Sequence, residues 1–155
     1  MADFQFNVSK GRAVELYRRV KIGDPAGSVL LVVALAAAGV EPDAVLRDKD
    51  TLADVLSGST EAANAGYARK VLGGASLDIV TPDDANDWVD LTLPDQTWAN
   101  VQAGTDWSKL LICYRPGAAV TDADVTPLTA HDFPIRPDGS NVVAQVDPSG
   151  FFRAV

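Results

Sequence analysis

Ten residues, "SVLLVVALAA" at 28–37, constrain this chain more than any other stretch. They are leucine, β-branched and small side chains without a charge, and they follow the turn sequence "GDPAG" at 23–27. The run is short for a buried helix. It suits a strand covered on both of its faces, where no polar alternation is required. "WSKLLICYR" at 107–115 has the same character and predicts a second strong strand.

Around these runs the other segments fall into short pieces. "SKGRAVELYRRV" (9–20) predicts a helix capped by Ser9, with Ala13, Val14, Leu16, Tyr17 and Val20 on one stripe. "DKDTLADVLSG" (48–58) predicts a clearer one, capped by Asp50 or Thr51 and stopped by Gly58. "GVEPDAVLRD" reads as loop, and "YARKVLG" (67–73) as a strand. In "DWVDLTLPDQTW", Val89, Leu91 and Leu93 alternate with Trp88, Asp90 and Thr92, which is strand periodicity ended by Pro94. "VTPLTAHDFPI" (125–135) is extended, with two prolines that favour a sheet edge. "RPDGSN" is a turn, and "VVAQVDPSGFFRAV" adds one or two strands. The expected fold class is mainly β: a single-domain antiparallel β-sandwich or barrel over residues 1–155, with one or two short helices in the N-terminal half. Residues 1–8 are expected to form an N-terminal arm.

The 155 residues are enough to bury a core without staples, since a chain of this size hides roughly 70% of its unfolded surface. The one cysteine, Cys113, lies in an apolar run and reads as a buried, inert thiol. No apolar signal region stands near the N-terminus, and the run at 29–40 falls short of the about 20 residues of a membrane helix. A soluble chain folded in a cytoplasm, with no membrane contact, is expected. The net charge of −8 sits in the second half: residues 71–155 carry four Lys/Arg against twelve Asp/Glu, whereas residues 1–70 carry nine of each. That distribution argues against a nucleic-acid partner, which requires a basic face. The basic group Lys10, Arg12, Arg18, Arg19 and Lys21 reads as a solvated helix face, and Arg12, Arg18 and Arg19 as candidate contacts to an acidic partner.

Chemistry is sought first in the five aspartates Asp83, Asp84, Asp87, Asp90 and Asp95. As a calcium loop from Asp84 they fail: Trp88 occupies a ligand place, Val89 stands where glycine is needed, and Asp95 replaces the bidentate glutamate. They read instead as an acidic turn before a strand. The only histidine, His131, adjoins Asp132, but neighbours along a strand point to opposite faces, and no GxSxG elbow accompanies them. One histidine and one cysteine cannot make a closed zinc site, and neither "GDPAGS" nor "VLGGAS" is a phosphate-binding loop. Trp88, Trp98 and Trp107 are either core anchors or a sugar-stacking platform. No catalytic, cofactor-binding or metal-binding residue is assigned, and no cofactor or enzymatic activity is expected.

The ordered series "SKGRAVELYRRVKIGDPAGSVLLVVAL", "TLADVLSG", "YARKVL", "DDANDWVDLTLPDQTW", "KLLICYRPG", "PLTAHDFPIRPDGSN" and "GFFRAV" resembles a family of small virion structural proteins of tailed bacteriophages, especially those of actinobacteria. The resemblance covers most of the chain. It implies a non-enzymatic virion component, assembled in the host cytoplasm: a head decoration (cement) or minor capsid protein that binds the major capsid protein lattice and neighbouring copies of itself as a homo-oligomer. The alternative it implies is a minor tail or tail-tip protein aiding adsorption. A carbohydrate-binding module is the reading outside that family. On the decoration reading, the arm carrying Phe4 and Phe6 would add to a neighbour's sheet edge.

Overall fold

The structure, a computed structural model, describes residues 3–155. Its centre is one five-stranded, wholly antiparallel sheet. The spatial order is β1 (Phe4–Gln5), β7 (Thr126–Ile135), β6 (Trp107–Arg115), β2 (Val29–Ala36) and β3 (Lys70–Leu72). The strand read from "SVLLVVALAA" is β2, and it is buried along almost its whole length. Its side chains alternate between two cores, as period-2 geometry requires. Leu30, Val32 and Ala34 enter one core with Leu110 and Ile112 of β6; Leu31, Val33 and Leu35 enter the other with Leu111 and Cys113.

The first core is roofed by α1 (Ala13–Ile22) and by two small ribbons. One ribbon pairs β4 (Val89–Leu91) with β9 (Phe152–Ala154), the other β5 (Gln96–Trp98) with β8 (Val142–Ala144). The second core lies under α2 (Asp43–Leu46), α3 (Leu52–Gly58) and the N-terminal segment, which contribute Leu46, Leu52, Val55, Phe4 and Phe6. The expected β-sandwich or barrel is therefore wrong. The chain is a mixed α/β fold with separate antiparallel sheets, none closed into a barrel. Both faces of the large sheet are covered, as the apolar run demanded, but by helices and short ribbons rather than by a second large sheet.

α3 starts at Thr51, whose hydroxyl accepts from the Asp54 amide at 3.0 Å. α1 starts at Ala13, not after Ser9, because Gly11 adopts a left-handed φ of 77° and breaks the helix there. Ser9 is buried, and its hydroxyl donates to the Leu128 carbonyl at 2.8 Å. α2 forms at "DAVL", inside the expected loop, because four residues are too few to show a helical period. β7 is one strand in from the edge, and β1 pairs only with its middle, Phe4 opposite Ala130 and Gln5 opposite Thr129.

That pairing also corrects the reading of the arm. Met1 and Ala2 lie outside the described residues. From Phe4 onward the segment belongs to its own sheet and core rather than to a neighbour's: Phe4 is 8% and Phe6 0% exposed. Their rings sit 5.3 Å apart, and burying each contributes roughly 1.5–3 kcal/mol. Phe151 and Phe152 pack against the first core.

Candidate functional site

A cleft of about 280 Å³ lies on the first face of the sheet. Val32, Leu110 and Ile112 form its apolar floor, and Leu93, Phe133 and Phe151 its apolar walls. Its polar lining comes from Asp3, His131 and Asp147, with Gln96 and Gln145. β7 delivers His131 and Phe133 to the same side of the sheet, two residues apart. The segment after β8 delivers Gln145 and Asp147.

The carboxylates at this cleft are held in place. The Asp3 carboxylate accepts from His131 Nδ1 at 3.0 Å and from the Asp132 amide at 2.8 Å. Partial burial pushes the Asp3 carboxyl up, but those hydrogen bonds outweigh it and hold it below the ordinary carboxylate range. A carboxylate only accepts, so Nδ1 carries the proton. In the neutral ring Nε2 then accepts from the Thr129 hydroxyl at 2.9 Å. Asp–His–hydroxyl is the order of an acyl-transfer triad. Here, however, Thr129 is 3% exposed and lies outside the cleft lining. The three groups tie β1 to β7. Asp147 closes its own turn, accepting from the Ser149 amide (2.8 Å) and hydroxyl (2.6 Å).

Asp132 turns to the other face of the sheet, where it meets the fully buried Lys109 at 2.5 Å; Asp43 of α2 lies 3.0 Å from the same ammonium. Desolvation alone would lower the lysine, but the hydrogen bonds to Asp132 and Asp43 prevail and hold it above its ordinary value. His131 and Asp132 thus face apart, as strand geometry predicts, and the partner of His131 is Asp3. Asp3 stands 128 residues away from His131, so no local pattern marks the pair. Lys109 had one legible sign: a charge inside the apolar run "WSKLLICYR".

The five aspartates disperse. Asp83 accepts from the Ala85 and Asn86 amides at 3.1 and 3.2 Å, closing the turn. Asp90 is clasped by Arg153 opposite it across the β4–β9 pair, at 2.6 and 2.9 Å. Asp95 accepts from the Val146 amide at 2.8 Å. Among the described residues no group of three His, Cys, Asp or Glu is placed to hold a metal ion. No helix among them is long and apolar enough to cross a membrane.

The tryptophans are core anchors. Trp98 and Trp107 are 2% and 1% exposed, meet edge-on at 5.4 Å, and donate to the Ala68 carbonyl (2.7 Å) and Asn64 Oδ1 (3.0 Å). Trp88 is covered by the Arg153 guanidinium, 3.8 Å from its ring centre. No sugar platform is formed by the three. Of the candidate contacts, Phe4 and Phe6 are internal, while Arg12, Arg18 and Arg19 are exposed around α1. Arg19 lies 3.3 Å and Arg18 3.9 Å from Glu15. Cys113 is buried in the second core.

No family model matches the chain, and no curated protein or solved structure matches it either.

Proposed function

We propose that the protein is a virion structural protein of a tailed bacteriophage, a head decoration or minor capsid protein that binds the major capsid protein lattice. The observation that carries this reading is the cleft. Its floor is apolar, its rim is acidic, and Asp3, His131 and Asp147 are fixed in hydrogen bonds. Such a surface receives a side chain with an aliphatic stem and a cationic head, a lysine or arginine of the capsid subunit. The excess of acidic residues in the C-terminal half, which supplies most of that lining, favours the same class of partner. The ordered series of segments that resembles phage virion proteins supports it from the side of sequence.

The test is to separate heads from tails of particles that encode this chain and quantify it by mass spectrometry. The expected result is many copies per head in fixed ratio to the major capsid protein. Recovery in the tail fraction alone would replace this reading with a minor tail protein, and absence from both fractions would end it. On heads stripped of the protein, Asp147→Lys should rebind at least about tenfold more weakly, because it places a like charge against the incoming cation.

A further inference from the structure

At the C-terminal end of α1 the surface forms a groove bordered by Arg18, Lys21, Ile22, Ile79 and Val80. Ile22 and Ile79 are 55% and 76% exposed, which leaves two large aliphatic side chains open at one place. A few residues along the same loop, a second hollow is bordered by Asp84, Asp87, Trp88 and Val89. Asp83 and Asp90 are consumed by the turn and by Arg153, but Asp84 and Asp87 are exposed and have no ion-pair partner among the described residues. The chain from Val80 to Asp84 spans at most about 14 Å, so the near edges of a basic apolar groove and of an acidic apolar hollow are no farther apart than that. Arg18 reaches its own Glu15 only at 3.9 Å.

Neighbouring patches of opposite charge, each with an apolar floor, satisfy the self-complementarity of a two-fold contact: the first patch of one copy meets the second of the other, and the reverse. We propose that this face is a two-fold interface between two copies of the chain. Ile22 and Ile79 of each copy pack into the Trp88–Val89 hollow of the other, and Arg18 of each meets Asp84 and Asp87 of the other. The apolar side chains supply affinity, and the charges set register and association rate. The proposal does not depend on the virion reading, because it concerns the purified chain in solution, and either can fail alone.

Sedimentation velocity over a range of protein concentration should show a monomer–dimer equilibrium that weakens in high salt, as exposed charge pairs are screened. Arg18→Glu, and the pair Asp84→Lys with Asp87→Lys, should each raise the dimer dissociation constant at least about tenfold. Combining all three changes in one chain should restore dimerisation, since the charges are then exchanged on both sides of the interface. Ile79→Ser should weaken the dimer by a similar factor while leaving the circular dichroism of the monomer unchanged, because the side chain is exposed. A chain that stays monomeric at every concentration overturns the proposal. So does a dimer indifferent to all these substitutions, or growth beyond the dimer, which two-fold closure forbids.

Discussion

Single side chains at three points take on roles through their surroundings. Cys113 has its thiol pushed far above the ordinary range by burial. It should therefore resist a thiol reagent in the native protein and react only as fast as the protein opens; labelling at the rate of a free thiol would refute this. Arg69 holds two carboxylates at once. It donates to Glu61 at 2.8 and 2.7 Å and to Asp122 at 2.7 and 2.9 Å. A lysine cannot reproduce both forks, so Arg69→Lys should lower stability by about 1–3 kcal/mol in urea unfolding. The hydrogen bonds from Arg69 hold the Asp122 carboxyl below its ordinary value despite partial burial. A carboxyl lowered in the folded state contributes stability above the unfolded value of about 3.9, and that contribution fades as pH falls through the folded value. Asp122→Asn should accordingly flatten the acid side of the stability–pH curve below about pH 4, measured as the urea midpoint at each pH.

Among the elements, β1 is the least regular by length and still matters for the fold. Its two residues add only a short ladder to β7, but Asp3 fastens its start to His131 and Asp132, and Phe6 just beyond it is fully buried. A free docking arm would tolerate Phe6→Ala without loss of stability. Here Phe6→Ala should cost about 3–5 kcal/mol, read from thermal or urea unfolding, because it leaves a cavity in the second core. The stretch "DDANDWVDLTLPDQTW" holds a turn followed by β4 and β5. Its period-2 pattern was legible, but β4 covers only Val89–Leu91 and stops before Leu93, which is buried beyond the strand. The partner strand β9, by contrast, comes from the far end of the chain, where Arg153 lies opposite Asp90, 63 residues away.

For the whole molecule, one sheet serves two cores, so neither core can dissolve without uncovering the other's strands. Leu111→Ala, on the face away from Trp98 and Trp107, should still lower the unfolding free energy read from tryptophan fluorescence, by about 2–5 kcal/mol. Fluorescence and far-ultraviolet circular dichroism should give coincident transitions; separate midpoints would show that the two sides unfold independently.

Read alone, the amino-acid order determined what depends on neighbours within a few residues. β2 and β6 appear where uninterrupted apolar runs predict them, α3 where Thr51 caps an apolar stripe, and the turn at Asp138 where its carboxylate accepts from Ser140. It also determined that β2 must be covered twice, because a run of leucine and valine offers water no polar face. Only the tertiary structure decided what does the covering. The four-residue α2 shows no helical period, and strands of two or three residues carry too little pattern to fix what they pack on, since their partners lie far along the chain. The same holds for the cleft: Asp3, His131, Gln96 and Asp147 come from separate elements, and long-range packing alone brings them to one rim.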